Sequence, residues 1–157
     1  MTPLVFLHGV GGGHHAWDSQ LPYFGGLGYP SHAWDQPGYG HSPIVEPYDL
    51  EQIAASLARL IAALADEPVV LIGHSMGGFI AQETHARYPK LVKALALCFT
   101  SPAFGGDSSE FAKQFIAARI ECVSQPSQYI SDLRIGEPYA QQALSAGAAQ
   151  TYRISLR

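Results

Sequence analysis

A serine between two glycines follows a short apolar run in a pattern that suits nucleophilic catalysis. Residues 73–77 read Gly-His-Ser-Met-Gly, which fits G-x-S-x-G. The apolar run Val69–Ile72 precedes them and a helical pattern follows, which is the setting that a nucleophile elbow requires. A sharp turn there projects the Ser75 hydroxyl above a sheet, so the sequence predicts Ser75 as a nucleophile for acyl transfer. The residues that support this turn are Gly73, His74, Gly77 and Gly78, the glycines because they lack a Cβ that would collide with the backbone.

A second glycine-rich loop, His8-Gly9-Val10-Gly11, comes directly after the first apolar run of the chain. Attack by a serine on a carbonyl carbon creates an oxyanion that needs backbone N–H donors, one after the nucleophile and one from a neighbouring loop. We expect these donors to be the N–H groups of Met76 and Val10, with His8 and Gly9 shaping the loop. One such donor contributes roughly a hundred- to thousand-fold in rate.

Short apolar runs and helical patterns alternate along the first hundred residues. Runs without polar alternation are typical of strands that are buried on both faces of a parallel sheet. Strands and helices in alternation predict an α/β fold, a mostly parallel sheet with flanking helices. The predicted strands are Pro3–Leu7, His32–Asp35, Val69–Ile72 and Val92–Cys98.

Three helical segments connect these runs. Asp49 and Gln52 resemble a capping box at the start of a helix whose apolar residues repeat every three or four positions from Leu50 to Leu64. A second helix is expected from Met76 to Tyr88, because Pro89 disfavours helical backbone in the residue before it. A shorter helix is expected around residues 17–24.

The pattern changes after Cys98. Gly105-Gly106 makes a break, Asp107 and Glu110 suggest another capping box, and a helix is expected to about Val123. Beyond it lie short helical pieces, and no further strand is evident.

Four stretches of the chain resemble the α/β-hydrolase fold: PLVFLHGVGGG, HAWDQPGYGHS, VVLIGHSMGGFIAQE and LVKALALCF. The resemblance covers about residues 3–100, and the two loops and the elbow are similar to those of the oxoadipate enol-lactonase and ring-cleavage-product hydrolase group. It implies that residues 1–100 are the N-terminal part of the hydrolase core and residues 101–157 a helical cap segment. It also implies a serine hydrolase of a small hydrophobic ester or lactone, without a cofactor.

The general base that this resemblance implies is missing from the sequence. The family takes its histidine from a loop late in the chain, in the order Ser, acid, His, whereas the last histidine here is His85. His85 follows Ser75 by ten residues on one helix, which places it roughly 15 Å away along the axis. Asp107 and Asp132 are weak candidates for the acid. We therefore expect an N-terminal part of a hydrolase that is inactive by itself.

Other side chains have less specific roles. His74 is expected to point away from the site, whereas His14 and His15 are expected either to line its mouth or to lie in a solvated loop. An apolar acyl pocket, or ordinary core and cap packing, is expected from Trp17, Tyr39, Phe99, Phe104, Phe111 and Phe115.

Two alternatives of other classes remain. A non-catalytic α/β module or pseudoenzyme is favoured by the missing histidine. A dinucleotide-binding oxidoreductase would use Gly9-Val10-Gly11 and Asp35, but His14 occupies the place of the third glycine of its motif. A metal site built from His8, His14 and His15 is disfavoured by the adjacent spacing of the last two, so no metal is expected.

Composition limits the partners. The 157 residues carry a net charge of −4 and only 14% charged residues, which argues against nucleic acid as a partner. No apolar stretch is long enough to cross a bilayer and no basic cluster suits an anionic membrane surface. The two cysteines, Cys98 and Cys122, are expected to be reduced thiols of a cytoplasmic protein. The oligomeric state is left open.

Overall fold

Four parallel strands organise the computed structural model, which describes residues 1–101. Within that range the sheet has the order β2-β1-β3-β4, and every neighbouring pair is parallel. This arrangement confirms the predicted α/β class. The strands are β1 (Leu4–Leu7), β2 (Ser31–Trp34), β3 (Val69–His74) and β4 (Val92–Cys98).

Three α-helices connect the strands: α1 (Gln20–Gly26), α2 (Leu50–Leu64) and α3 (Met76–Arg87). Short 3-10 helices precede α1 at His14–Trp17 and β4 at Pro89–Leu91. The single helix expected around residues 17–24 is therefore wrong in detail, because the chain makes a 3-10 turn first and begins α1 three residues later.

The start of α2 and the end of α3 lie where the predicted capping residue and the predicted proline place them, to within one residue. The Asp49 carboxylate accepts the backbone N–H of Gln52 at 2.8 Å, so it satisfies one of the free donors of the first turn of α2. Helix α3 ends at Arg87, one residue earlier than expected, and Tyr88 before Pro89 has left helical backbone (φ −126°, ψ 56°). The proline accounts for this ending because its ring crowds the residue before it.

The sheet has helices on both faces. Val5 and Leu7 of β1 pack in one core with residues of α2 and α3, including Leu57 and Ile80. Phe6 points to the opposite face, because side chains of a strand alternate. There its ring meets the rings of Trp17 and Phe24, with centroids 5.1 and 5.9 Å away.

Burial differs among the strands. All four residues of β1 are buried, as predicted, whereas most of β4 is exposed, including Ala94, Ala96 and Leu97. The expectation of burial on both faces is thus wrong for β4, which lies at one end of the sheet in the described part of the chain. The bounds also shift: β2 lies one residue earlier than predicted, and β3 extends to His74 because Gly73 and His74 still pair with β4.

The expectations for the rest of the chain, a helix from Asp107, short helical pieces and a cap segment over residues 101–157, lie outside the described residues. The predicted division near residue 100 stays a prediction. Among residues 1–101, no helix has the length and apolar character needed to cross a membrane.

Candidate active site

Ser75 occupies a strained turn between β3 and α3. Its backbone has φ 52° and ψ −116°, in the positive-φ region that residues with a Cβ rarely adopt. Such a conformation costs about 1–3 kcal/mol and persists only where the surrounding structure enforces it. Two hydrogen bonds hold the turn: the Ser75 N–H donates to the Cys98 carbonyl at 3.0 Å, and the Gly78 N–H donates to the Ser75 carbonyl at 2.9 Å.

The glycines around Ser75 are packed too closely to carry side chains. A Cβ on Gly73 would lie 2.7 Å from the Gly77 carbonyl carbon, and one on Gly77 would lie 2.7 Å from the carbonyl carbon of Leu7 at the end of β1. A Cβ on Gly78 would lie 2.6 Å from Thr100 Oγ1. Backbone therefore meets backbone at the start of α3, which enforces the turn.

The loop after β1 arrives at Ser75 because β1 and β3 are neighbours, with Leu7 in register with Gly73. A Cβ on Gly9 would lie 3.1 Å from the Cβ of Ser75 and 3.0 Å from His74 Nδ1. Val10 comes next in this loop and is 47% exposed. Gly9 and Ser75 therefore lie close together. Val10, one predicted donor, follows Gly9 in the chain, and Met76, the other, follows Ser75 and begins α3.

The N-terminus of α3 adds favourable electrostatics at the same point. The N–H groups of a first helical turn have no partners within the helix, and the helix dipole places partial positive charge there. Ser75 is the residue just before this turn, and its side chain makes no capping hydrogen bond. An anion next to Ser75 would therefore be stabilised by the helix.

His8 is a buried structural residue of the loop after β1. Its Nδ1 donates to the Gly9 carbonyl at 2.8 Å, and its Nε2 accepts the Gln36 N–H at 3.3 Å. The Gln36 side chain also donates to the His8 carbonyl. Burial lowers the pKa of His8, and only the neutral ring fits these two partners. With both nitrogens engaged, His8 does not serve as a base for Ser75.

A carboxylate–imidazole pair that the sequence analysis missed lies beside this loop. The Asp35 carboxylate accepts the His14 backbone N–H at 2.7 Å on one oxygen and His14 Nδ1 at 2.8 Å on the other. Burial raises the pKa of Asp35, but the hydrogen bonds from His14 outweigh it, so that the pKa lies below its ordinary value. Since both oxygens are engaged within the chain, Asp35 is poorly suited to bind a ribose.

The remaining histidines contribute no base that the structure identifies. All seven histidines of the chain fall within residues 1–101. His74 is exposed, with its ring 5.9 Å from that of Phe99, and His85 is exposed on α3. His15 lies 3.4 Å from Asp18. Within residues 1–101, no hydrogen bond joins the Ser75 hydroxyl to a histidine.

Some of the predicted metal-ligand and aromatic candidates lie within the described residues, and others lie outside them. Residues 1–101 contain no group of three or more potential metal ligands. Trp17 packs on Phe6, Tyr39 packs on His8 with ring centroids 4.8 Å apart, and Phe99 is 92% exposed. The candidates Asp107, Asp132, Phe104, Phe111 and Phe115 lie outside the described residues.

Comparison with known proteins identifies relatives of this chain. The family model described as "alpha/beta hydrolase fold" matches residues 2–119. A pimeloyl-[acyl-carrier protein] methyl ester esterase of Chromobacterium violaceum is 37% identical over 123 residues, 78% of this chain and 46% of that protein. A Mycobacterium tuberculosis protein provisionally named a non-heme bromoperoxidase is 30% identical over 148 residues, 94% of this chain and 56% of that one.

Solved structures give the same result. An esterase from Exiguobacterium antarcticum superposes with a TM-score of 0.74 at 25% identity, covering 99% of this chain and 65% of its own. The chain spans between 28% and 56% of the length of the curated relatives reported by these comparisons. Because the family model matches well over half of the chain, the chain belongs to the alpha/beta hydrolase fold family.

Proposed function

We propose that the protein is a serine hydrolase that cleaves a carboxylic ester or lactone, with Ser75 as its nucleophile. The observation that carries this proposal is the strained backbone of Ser75 at the N-terminus of α3, φ 52° and ψ −116°. Strain of this kind persists where close packing enforces it, and it clusters at active sites. Ser75 is part-exposed in this turn and its side chain makes no capping hydrogen bond, which suits a nucleophile.

In the proposed mechanism, Ser75 Oγ attacks the carbonyl carbon of the substrate and its proton passes to a general base. The negative charge on the former carbonyl oxygen is stabilised by the N–H groups of Val10 and Met76. The intermediate collapses, the alcohol leaves with a proton, and an acyl-enzyme remains on Ser75. Water then attacks the acyl group and releases the acid. For a lactone, the leaving alcohol stays attached to the product.

The base and the acid of this mechanism are not assigned. His8 has both ring nitrogens engaged, and His85 lies near the far end of α3 from Ser75. Removing one member of a catalytic triad leaves only a small residual rate. We therefore expect the 157-residue chain to turn over esters poorly, because within residues 1–101 no histidine is hydrogen-bonded to the Ser75 hydroxyl.

The names of the relatives favour an ester over other substrates. Several are esterases, among them esterase Rv0045c of Mycobacterium tuberculosis, 36% identical over 102 residues. One substrate class in these names is a methyl ester carried on an acyl-carrier protein. For this protein we propose a small hydrophobic ester or lactone as the substrate.

A non-catalytic module is the second candidate. It is favoured because, within residues 1–101, no hydrogen bond joins the Ser75 hydroxyl to a histidine. The two candidates differ in the reactivity of Ser75, because in a pseudoenzyme the fold would be kept and the Ser75 hydroxyl would be unreactive.

A fluorophosphonate probe, which traps activated serines, distinguishes them. The full-length gene product should react with the probe at Ser75, and Ser75→Ala should abolish labelling. Ser19→Ala is the matched control, because Ser19 is an exposed serine whose side chain makes no capping bond at α1. Labelling that persists in Ser75→Ala, or that is absent from the unmodified protein, would contradict the proposal.

A further inference from the structure

The carboxylate of Asp35 joins the loop after β2 to the loop after β1. It follows the last residue of β2 and accepts two hydrogen bonds from His14, through the backbone N–H at 2.7 Å and Nδ1 at 2.8 Å. The Asp35 side chain is only 15% exposed, compared with 41% for His14. A part-buried carboxylate with both oxygens engaged holds the backbone of its partner, because a charge-assisted bond that is shielded from water is costly to break.

The backbone at two glycines, Gly13 and Gly40, lies close to this carboxylate. A Cβ on Gly13 would lie 3.3 Å from Asp35 Oδ1, and one on Gly40 would lie 2.8 Å from Asp35 Cγ. Gly40 also has φ +55°, which favours glycine. The Ser42 hydroxyl donates to the Asp35 carbonyl at 2.7 Å. A side chain at Gly40 would therefore collide with the Asp35 carboxylate, and one at Gly13 would crowd it.

The segment that Asp35 holds is the one that reaches Ser75. Gly9 packs on the Cβ of Ser75, and the Gly12 N–H donates to the Gly9 carbonyl at 3.1 Å in a tight turn. His14 follows two residues after Gly12. The segment is therefore fixed at Gly9 by the elbow and at His14 by Asp35, and Val10 lies between these two points.

We propose that Asp35 is a positioning residue for the oxyanion hole. By holding His14, it sets the path of residues 9–14 so that the Val10 N–H is aimed at the oxygen that becomes negative during attack by Ser75. This inference rests on the proposed hydrolase function. Asp35 touches neither the substrate nor Ser75 in this role, and it transfers no proton, since it stays ionised and acts only as an acceptor.

The first test is amide hydrogen exchange of the chain, measured by NMR. In Asp35→Asn, the charge is lost and one carboxylate oxygen becomes an NH₂ group, so at most one of the two bonds that His14 donates can still be accepted. Exchange at Gly12, and at Ala16, whose N–H donates to the Gly13 carbonyl at 3.0 Å, should accelerate about tenfold. Exchange at Leu71 and Ile80, in the core, should stay unchanged. Asp49→Asn is the matched control, because Asp49 also accepts a backbone N–H at 2.8 Å but lies at α2, so it should leave Gly12 and Ala16 unchanged.

The second test separates positioning from stability. In the full-length gene product, Asp35→Asn should slow fluorophosphonate labelling of Ser75 about tenfold, and Asp49→Asn should leave the labelling rate unchanged. Should Asp35→Asn fail to fold, His14→Ala replaces it, because it removes the ring bond, keeps the backbone bond and changes a side chain that is 41% exposed; a smaller slowing is then expected.

Three results would overturn the inference. Unchanged exchange at Gly12 and Ala16 means that Asp35 does not hold the loop. Equal acceleration at Leu71 and Ile80 means that it stabilises the whole fold and not this loop. Accelerated loop exchange with an unchanged labelling rate means that the loop does not serve Ser75. Absence of labelling in the unmodified protein is the different result that removes the hydrolase function itself.

Discussion

The elbow at Ser75 and the loop at residues 8–14 meet at one point of the sheet but are built in different ways. The elbow is held by backbone: glycines at 73 and 77 allow main chain to touch main chain, and the Ser75 side chain makes no capping bond. The loop has one backbone bond, from the Gly12 N–H to the Gly9 carbonyl, but its other bonds involve side chains: His8 is bonded to Gly9 and Gln36, and the Asp35 carboxylate accepts from His14.

This difference suits the two roles. A nucleophile must keep its hydroxyl free, so its position is best fixed by close backbone packing that leaves the side chain unused. A donor loop offers a backbone N–H, so its side chains are free to form the hydrogen bonds that fix it. The two regions should therefore respond to different perturbations, the elbow to added volume and the loop to changes of protonation.

The largest effect is expected from Gly77→Ala. The added Cβ would lie 2.7 Å from the Leu7 carbonyl carbon and 2.8 Å from the His8 carbonyl oxygen, and neither backbone group is free to move. We expect the free energy of unfolding to fall by about 3 kcal/mol, as overpacking does in a close-packed interior. Urea denaturation of the chain measures it.

Gly25→Ala is the control for this substitution. Gly25 lies in α1, and nothing is within 4 Å of the position that its Cβ would occupy. There alanine should stabilise the chain by about 0.5–1 kcal/mol, because glycine loses more backbone freedom on folding. Equal destabilisation by the two substitutions would contradict the close packing of the elbow.

Replacement of Ser75 itself measures the strain at the elbow. At φ 52° and ψ −116°, alanine keeps the unfavourable contacts of a Cβ, and glycine has none. We expect Ser75→Gly to be more stable to urea than Ser75→Ala by about 1 kcal/mol. The reverse order would mean that the backbone at residue 75 is not strained.

The loop should respond to pH. Burial lowers the pKa of His8 below its ordinary value of 6.5, so the unfolded chain binds the proton more readily than the folded one. The contribution of His8 to the free energy of unfolding is therefore complete above about pH 6.5. It is lost as the pH falls toward the pKa that His8 has in the folded chain. Asp35, His14 and the Tyr39 ring face His8; of these, Asp35 opposes the shift and His14 adds to it.

Urea denaturation between pH 5 and pH 8 tests this dependence. The free energy of unfolding should decrease below about pH 6.5. His8→Gln should flatten the decrease, and His85→Gln, which changes an exposed histidine of α3, should leave it in place. The same decrease in His8→Gln as in the unmodified chain would mean that another group titrates.

The same contrast explains what the sequence could predict. The strand before Ser75, the start of the helix after it and the glycines around it lie within residues 69–78, so local pattern is sufficient to predict the elbow. The bond between His14 and Asp35 joins residues 21 apart, and it forms because β1 and β2 are neighbours whose loops leave the same edge of the sheet. An aspartate at the end of a predicted strand is the available signal, and the same signal also fits a nucleotide-binding motif. Exposure of β4 depends on strand order, which periodicity does not report.

Acylation by an ester substrate is the most direct test of the central claim that Ser75 is a nucleophile. The full-length gene product is mixed with p-nitrophenyl acetate, quenched in acid and digested, and the acetyl group is located by mass spectrometry. The account predicts release of p-nitrophenol together with an acetyl group on Ser75, and neither in Ser75→Ala. Hydrolysis with the acetyl group on another residue, or hydrolysis that continues in Ser75→Ala, would contradict it.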